Sequence, residues 1–290
     1  MQAVPGWLNK QAVIAYDGHM NHSDKCQAII LAAGRGERMR PLTDTCPKPL
    51  LQVHGKPLMQ WHMQALLTGG FANMLVNTAW LGEKIEQHFQ NLFNAQNSPK
   101  PLQNVRKQLL NSEQIQADEL HNLHLTYSHE GQDFGGALET AGGICRALPQ
   151  LSDVFWVVAG DVYCPSFTFS RAAYDQFAAS NKLAHLWLVP NPPHNLRGDF
   201  GLSAAGLAQN LPKDAGRSLH TYSTIGLYKH AFFAPPFCAI PTGNAKGEKA
   251  PLAPMLRAAM DAGLVSAEIF APEWADVGTP ERLTQLNASP

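Results

Sequence analysis

The 290-residue sequence has little of several features that would assign it to a particular class of protein. Lysines and arginines number 22 against 23 aspartates and glutamates, so no basic excess indicates a nucleic-acid or membrane partner. The longest apolar runs have the length of a strand, which predicts no transmembrane helix. The five cysteines contain no C-x-x-C pair, and their odd number fits a reduced, cytoplasmic setting.

The periodicity of the chain predicts one α/β domain over residues 25–290. Strand-like and helix-like segments alternate there, which indicates a Rossmann-like, doubly wound, mostly parallel sheet with helices on both faces. Residues 1–24 have mixed polarity and no signal-peptide pattern, so we expect a loose N-terminal extension. Residues 94–119 are rich in Asn, Gln, Lys and Pro, which predicts a surface insertion.

One stretch near the start joins a buried strand to a loop rich in glycine and cations. The apolar run 28–33 predicts the strand, and Gly34-Arg35-Gly36 must then be loop. Glycines let backbone N–H groups approach phosphate oxygens, and cations neutralise their charge. The cations of the loop and of the turn after it are Arg35, Arg38, Arg40 and Lys48. This composition suits a polyanion such as a nucleoside triphosphate.

Familiar nucleotide and sugar motifs are missing from the sequence. Met39 stands where a dinucleotide-binding loop of the form G-x-G-x-x-G needs its third glycine, and no G-x-x-x-x-G-K-[ST] run occurs. The Asp-x-Asp pair expected of a metal-dependent glycosyltransferase is also missing. Gly160-Asp161, like the glycine loop, follows a predicted strand, and ligands of doubly wound sheets bind outside the carboxyl ends of strands.

The glycine loop is part of a longer pattern. Leu31-Ala-Ala-Gly-Arg-Gly-Glu-Arg-Met-Arg-Pro-Leu-Thr43, followed by Pro47-Lys-Pro49, resembles the signature of the sugar-1-phosphate nucleotidyltransferases. The resemblance implies a single GT-A-like domain that transfers a nucleotidyl group from a nucleoside triphosphate to a sugar 1-phosphate. It also implies Mg²⁺ as the cofactor.

Further segments resemble the N-acetylmuramate 1-phosphate uridylyltransferases within that family. The segments that carry this likeness are Asn77-Thr-Ala-Trp-Leu-Gly82, Leu138-Glu-Thr-Ala-Gly-Gly143, Pro190-Asn-Pro-Pro-His194 with Gly198-Asp-Phe200, and Asp276-Val-Gly-Thr-Pro-Glu-Arg-Leu283. The resemblance implies that UTP and N-acetylmuramic acid 1-phosphate give a UDP-sugar and pyrophosphate, in peptidoglycan recycling of the cell wall. We expect these two substrates as partners of a monomer or small homo-oligomer.

The resemblance also implies a role for each matching residue. Arg38 and Lys48 match catalytic positions, with Lys48 bridging the phosphates of the two substrates. Asp199 and Ser223 match positions near the sugar. Asp161 and Asp276 match the two Mg²⁺ carboxylates, a number that suits this ion. The residues that match nucleotide-binding positions are Gly34, Arg35, Gly36, Lys48, Glu130, Thr140, Gly142 and Gly160.

Other functions stay open at the level of sequence. Mannose 1-phosphate with GTP, or glucose 1-phosphate with UTP or dTTP, would suit the same machinery, because the loop 131–137 near the base departs from the expected pattern. A different possibility is a non-catalytic subunit that senses nucleotides or sugars. Such subunits typically lose the cations of the glycine loop or the carboxylates that bind the metal. The sequence keeps both kinds of residue, namely Arg38, Lys48, Asp161 and Asp276, which favours catalysis.

Overall fold

Strands alternate with helices through residues 25–94, 123–212 and 218–288, which are the residues that this computed structural model describes. The predicted extension at 1–24, and the predicted insertion apart from its first residue, lie outside them. In these ranges the strands are β1 (Cys26–Ala32), β2 (Gln52–Val53), β3 (Lys56–Pro57), β4 (Asn73–Thr78), β5 (His124–His129), β6 (Leu151–Ala159), β7 (Val162–Tyr163), β8 (Ala184–Val189), β9 (Phe200–Leu202), β10 (Ala208–Gln209), β11 (Leu219–Lys229), β12 (Val265–Ile269) and β13 (Ala275–Asp276).

The helices that cover the sheet are short to medium in length. They are α1 (Leu58–Thr68), α2 (Gly82–Asn94), α3 (Glu130–Phe134), α4 (Glu139–Ala147), α5 (Arg171–Ala179), α6 (Leu252–Asp261) and α7 (Pro280–Ala288). No helix in the described ranges is both long enough and apolar enough to cross a bilayer.

The central sheet of the described residues has nine strands in the order β10-β9-β11-β6-β1-β4-β5, with β8 beside β11 and β12 beside β8. Strands β5, β4, β1 and β6 run parallel, and Ile29 of β1 lies opposite both Leu75 and Val157. Strand β11 is antiparallel to β6, β8 and β9. The arrangement confirms the predicted α/β class and its parallel core.

The core lies on both faces of this sheet. Ile29 packs with Ile144 of α4 and Met255 of α6 in one cluster, whereas Ile30 packs with Met63 of α1 and Phe177 of α5 in the other. Successive side chains of a strand point to opposite faces, so a strand that is buried on both faces must be continuously apolar. This is why the run 28–33 has no polar alternation.

The segment after β5 differs from the predicted loop at 131–137. Helix α3 occupies its first part, and Gly135 ends the helix in the left-handed region with a φ of 74°. Glu130 Oε2 accepts a hydrogen bond from the backbone N–H of Leu138 at 2.8 Å, which ties the two ends of the segment together.

Candidate active site

Two clefts lie side by side at the carboxyl ends of the parallel strands. The larger encloses about 710 Å³ and the smaller about 240 Å³, and Leu31, Gly34 and Asp161 line both. Sites for small ligands typically enclose about 300–1,000 Å³. The shared residues follow or end β1 and β6, the two strands at the centre of the sheet, so a ligand could occupy both clefts at once.

The glycine loop after β1 lies where the two clefts meet, since Gly34 lines both of them. Nothing lies within 4 Å of the position that a Cβ atom would take at Gly34. Gly36 has a left-handed backbone with a φ of 69°, and a Cβ there would lie 3.1 Å from Thr43 Cγ2 and 3.3 Å from Lys48 Cβ. Gly36 therefore allows the loop to pack directly against Lys48.

Lys48 lies between two carboxylates beside the smaller cleft. Its Nζ atom is 2.6 Å from Asp161 Oδ2 and 3.7 Å from Asp276 Oδ1, and the residue is only 6% exposed. A buried ammonium group is costly unless it is paired, and the two carboxylates meet that need. The Asp276 carboxylate reaches the site because β13 pairs with β7, which places Asp276 opposite Val162 and so next to Asp161.

Asp276 has further basic neighbours. Its Oδ2 atom lies 3.1 Å from Arg282 Nη1, 3.5 Å from His194 Nε2 and 4.0 Å from Arg38 Nη2. Burial, with a further contribution from the charge of Arg282, lowers the pKa of His194 and favours its neutral form. Arg38 is largely exposed and lines the smaller cleft, where it can contact an anion. The sequence reasoning assigned no role to His194 or Arg282, although they lie within the segments 190–194 and 276–283 that carry the resemblance.

The carboxylates Asp161 and Asp276 are the candidates for holding a metal ion. In the part of the chain that the structure describes, no group of three or more His, Cys, Asp or Glu side chains gathers around one point. Mg²⁺ usually takes one or two carboxylates and completes its shell with waters and substrate phosphates. Two carboxylates that both lie within 4 Å of one ammonium group, beside a loop open to phosphate, fit that requirement and do not form a closed metal cage.

One wall of the larger cleft has a buried polar pair, Asn77 and Glu130. Asn77 Oδ1 accepts from the N–H of Ala32 at 2.8 Å, and its Nδ2 donates to Glu130 Oε1 at 2.6 Å. Burial raises the pKa of Glu130, although the hydrogen bonds that it accepts from the Leu138 N–H and from Asn77 partly oppose the shift. Gly143 leaves room for the pair, because a Cβ there would overlap Glu130 Oε1. Sequence reasoning assigned no role to Asn77. The feature that could have indicated one is a polar side chain near the carboxyl end of an apolar strand.

Thr140 also lines the larger cleft, at the start of α4. Asp199 lines the opposite wall, where its Oδ2 atom accepts from Asn195 Nδ2 at 3.2 Å and from the N–H of Tyr222 at 3.0 Å. Thr224 lines this wall as well. The structure therefore brings Glu130 and Thr140, which were predicted near the nucleotide, and Asp199, which was predicted near the sugar, to one cleft.

Ser223 is fully buried, and its hydroxyl makes only internal contacts among the described residues. It donates to the carbonyl of Trp187 at 2.6 Å and accepts from the N–H of Ile225 at 3.1 Å. A register shift in β11 puts the next residue, Thr224, in the left-handed region with a φ of 65° and into the wall of the cleft. The predicted contact of Ser223 with a sugar stays a prediction, and Thr224 is the residue at the cleft.

The predicted positions Arg35, Gly142 and Gly160 lie behind the clefts. The Arg35 guanidinium lies 3.7 Å from the ring centre of Trp80 and donates to the carbonyl of Thr43 at 2.9 Å. A Cβ at Gly142 would overlap a backbone carbonyl of the segment 248–250, so this glycine permits close packing of α4. Gly160 donates its N–H to Leu31 at 2.9 Å. Their roles in nucleotide binding stay predictions.

Comparisons with known proteins agree with this geometry. Residues 27–289 match the family model described as nucleotidyl transferase. The chain is 39% identical to N-acetylmuramate alpha-1-phosphate uridylyltransferase of Neisseria meningitidis serogroup B, over 90% of this chain and 97% of that protein. It is 31% identical to UTP–glucose-1-phosphate uridylyltransferase of Synechocystis sp., over 47% of this chain and 30% of that protein.

A solved structure shows the same fold. The inositol-1-phosphate CTP transferase from T. maritima superposes with a TM-score of 0.61 at 15% identity, over 92% of this chain and 98% of that one. The family model covers nearly the whole chain, and the Neisseria relative matches over nearly its whole length. The chain therefore belongs to the nucleotidyl transferase family, among the sugar-1-phosphate nucleotidyltransferases.

Proposed function

We propose that the protein transfers the uridylyl group of UTP to N-acetylmuramic acid 1-phosphate, giving a UDP-sugar and pyrophosphate with Mg²⁺ as the cofactor. The observation that carries this proposal is the match to the Neisseria enzyme over 97% of its length, against 30% for the glucose-1-phosphate enzyme of Synechocystis. The match to the Neisseria enzyme over nearly its whole length includes the residues that line the larger cleft on both sides. A place in the cytoplasm, in peptidoglycan recycling, is part of the same proposal.

The smaller cleft and its glycine loop suit the triphosphate. Gly34 leaves its backbone open, and Arg38 and Lys48 supply positive charge on the same cleft. At about 4 Å, two unit charges of like sign repel by about 4 kcal/mol at an effective dielectric constant of about 20. The phosphate of the acceptor must approach the triphosphate against several such repulsions, and Lys48 lies where both can meet its ammonium group.

Asp161 and Asp276 would hold the Mg²⁺ ion, which supplies positive charge to phosphate oxygens when it is bound. Both carboxylates already lie within 4 Å of Lys48 Nζ. Substrate phosphates that reach Lys48 would therefore also lie near these two side chains. Because a sugar phosphate is already an anion at neutral pH, the transfer depends on positioning and charge neutralisation and requires no strong base.

The order of the strands separates two groups of polar residues that line the larger cleft. Asn77 and Glu130 lie at the ends of β4 and β5, on one side of β1, whereas Asp199 and Tyr222 belong to the β9 and β11 side of β6. Gly34 and Asp161 lie between them. The proposal therefore puts the uracil near Asn77, the phosphates at the centre and the acceptor sugar near Asp199.

Pyrophosphate release over a grid of substrates tests the proposal. UTP, dTTP and GTP are each combined with the 1-phosphates of N-acetylmuramic acid, N-acetylglucosamine, glucose and mannose, with and without Mg²⁺. We expect UTP with N-acetylmuramic acid 1-phosphate and Mg²⁺ to give the highest kcat/KM, and Asp161→Asn to lose it while the protein stays folded. Preference for GTP with mannose 1-phosphate would replace the proposed substrates, and turnover of no pair would favour a non-catalytic nucleotide-sensing subunit.

A further inference from the structure

Arg257 of helix α6 is the one basic side chain among the described residues that line the larger cleft. Its guanidinium has neutral partners. Nη1 donates to Asn210 Oδ1 at 2.8 Å, Nη2 donates to the carbonyl of Asp199 at 3.4 Å, and the group lies 5.0 Å from the ring centre of Phe200. No carboxylate in the described ranges comes within 4.0 Å of it, so its charge has no counter-ion there.

Asn210, the neutral partner of Arg257 Nη1, is held in place by the carboxylate of Asp261. Asn210 Nδ2 donates to both oxygens of Asp261, at 3.1 and 3.0 Å, which leaves Oδ1 of the same amide directed at Arg257. Asp261 therefore orients Arg257 through Asn210 without pairing with it. A guanidinium has five N–H donors, and these contacts use only part of them. The remaining donors are available to a ligand in the cleft.

The residues around Arg257 leave room for a ligand on the side of the cleft where the acceptor sugar is proposed to bind. Ala253 lies one helical turn before it and lines the same wall, and side chains of a helix lean towards its N-terminus. The small Ala253 side chain thus leaves space in front of the guanidinium. Asp199 and Tyr222, on the sugar side of the sheet, line the cleft with it.

We propose that Arg257 binds a carboxylate of the acceptor and so determines specificity for an acidic sugar 1-phosphate. In N-acetylmuramic acid this group is the carboxylate of the lactyl ether. The inference rests on the proposed function, since it assigns a contact to that acceptor. A planar guanidinium can hold a carboxylate through two parallel, charge-assisted hydrogen bonds, whereas a neutral sugar leaves its charge unpaired. The apolar surfaces of Phe200 and Leu256 lie nearby for the methyl group of the lactyl ether.

Binding of two UDP-sugars, the proposed product and an analogue without the lactyl group, separates this role from a general effect on the cleft. UDP-N-acetylmuramic acid and UDP-N-acetylglucosamine differ by the lactyl group, and their Kd values are measured by isothermal titration calorimetry with Mg²⁺. We expect Arg257→Gln to weaken the first about 30-fold, which is about 2 kcal/mol at 1.4 kcal/mol per factor of ten. The second should change less than about threefold, because it has no carboxylate on the sugar. Arg257→Lys should give an intermediate loss, since it keeps the charge but not the planar fork.

Arg171→Gln is the matched control. Arg171 also lies over an aromatic ring, 4.1 Å from the centre of Phe71, and donates to the carbonyl of Gly70 at 2.9 Å, but it lines neither cleft. We expect it to change neither Kd. If Arg257→Gln leaves the ratio of the two Kd values unchanged, either because both rise equally or because neither changes, the inference is overturned. Failure of the wild-type protein to bind UDP-N-acetylmuramic acid, with UDP-N-acetylglucosamine bound, would overturn the proposed acceptor itself.

Discussion

Replacing Gly36 by alanine tests whether the glycine loop positions Lys48. The left-handed backbone of Gly36, with a φ of 69°, costs an L-residue about 1–2 kcal/mol. The added methyl group would also lie 3.1 Å from Thr43 Cγ2 and 3.3 Å from Lys48 Cβ, so one of these side chains must move by a few tenths of an ångström. Because Lys48 Nζ contacts both Asp161 and Asp276, its movement alters the spacing of the three charged groups.

Gly55→Ala is the control for the cost of placing an alanine in a left-handed backbone conformation. Gly55 has a φ of 74°, close to that of Gly36, but nothing lies within 4 Å of the position of its Cβ. Both variants should therefore lose about 1–2 kcal/mol in the free energy of unfolding, measured with urea. Only Gly36→Ala should also lose kcat/KM, by about tenfold or more, because small misplacements of catalytic groups are costly.

If Gly36→Ala and Gly55→Ala have the same kcat/KM, the contact between the loop and Lys48 has no influence on transfer and the reasoning is wrong. A larger loss of stability in Gly36→Ala, by about 1 kcal/mol, would agree with the crowding of its methyl group.

Three further predictions address other parts of the site. Lys48→Met should lower kcat/KM by about 10²–10³-fold, because a charged donor at the reacting phosphates is lost; the half-buried Lys56→Met, outside both clefts, should leave it unchanged. Gly142→Ala should cost about 1–3 kcal/mol in the free energy of unfolding and raise the KM for the nucleotide, since its methyl group would displace α4 from segment 248–250. Burial lowers the pKa of His62 to about 4 from 6.5, so its protonation favours the unfolded chain and stability falls as the pH drops through this range. From pH 7 to pH 5 the wild type should therefore lose about 2 kcal/mol in the free energy of unfolding because of this histidine. His62→Gln lacks the group, so urea titrations at the two pH values should show a loss that is smaller by that amount.

The parts of the fold that local sequence determines were predictable. The run 28–33 and the glycines after it encode a buried strand and an open loop within nine residues, and the structure has both. The hairpin-like pairing of β9 with β10 likewise joins neighbouring segments. Sequence periodicity is informative here because each element is defined by residues close together in the chain.

Contacts between distant segments were not predictable in the same way. Asp161 and Asp276 meet through β7 and β13, which have two residues each and no periodicity to detect. Arg257 lies on a helix whose pattern separates apolar from polar positions, but that pattern does not distinguish a cleft from solvent. The choice between Ser223 and Thr224 depends on a register shift in β11, and a shift of one residue moves a side chain to the other face of a strand.

The pairing of β7 with β13 also determines when the site can first exist during synthesis. Lys48 and Asp161 are 113 residues apart in the chain, and the second carboxylate comes later still, from a two-residue strand just before the last described helix. A growing chain that has completed the parallel strands therefore has its glycine loop and Lys48 but only one of the two acidic side chains. The complete set of charged groups can therefore form only after the segment that carries β13 has been synthesised and has paired with β7.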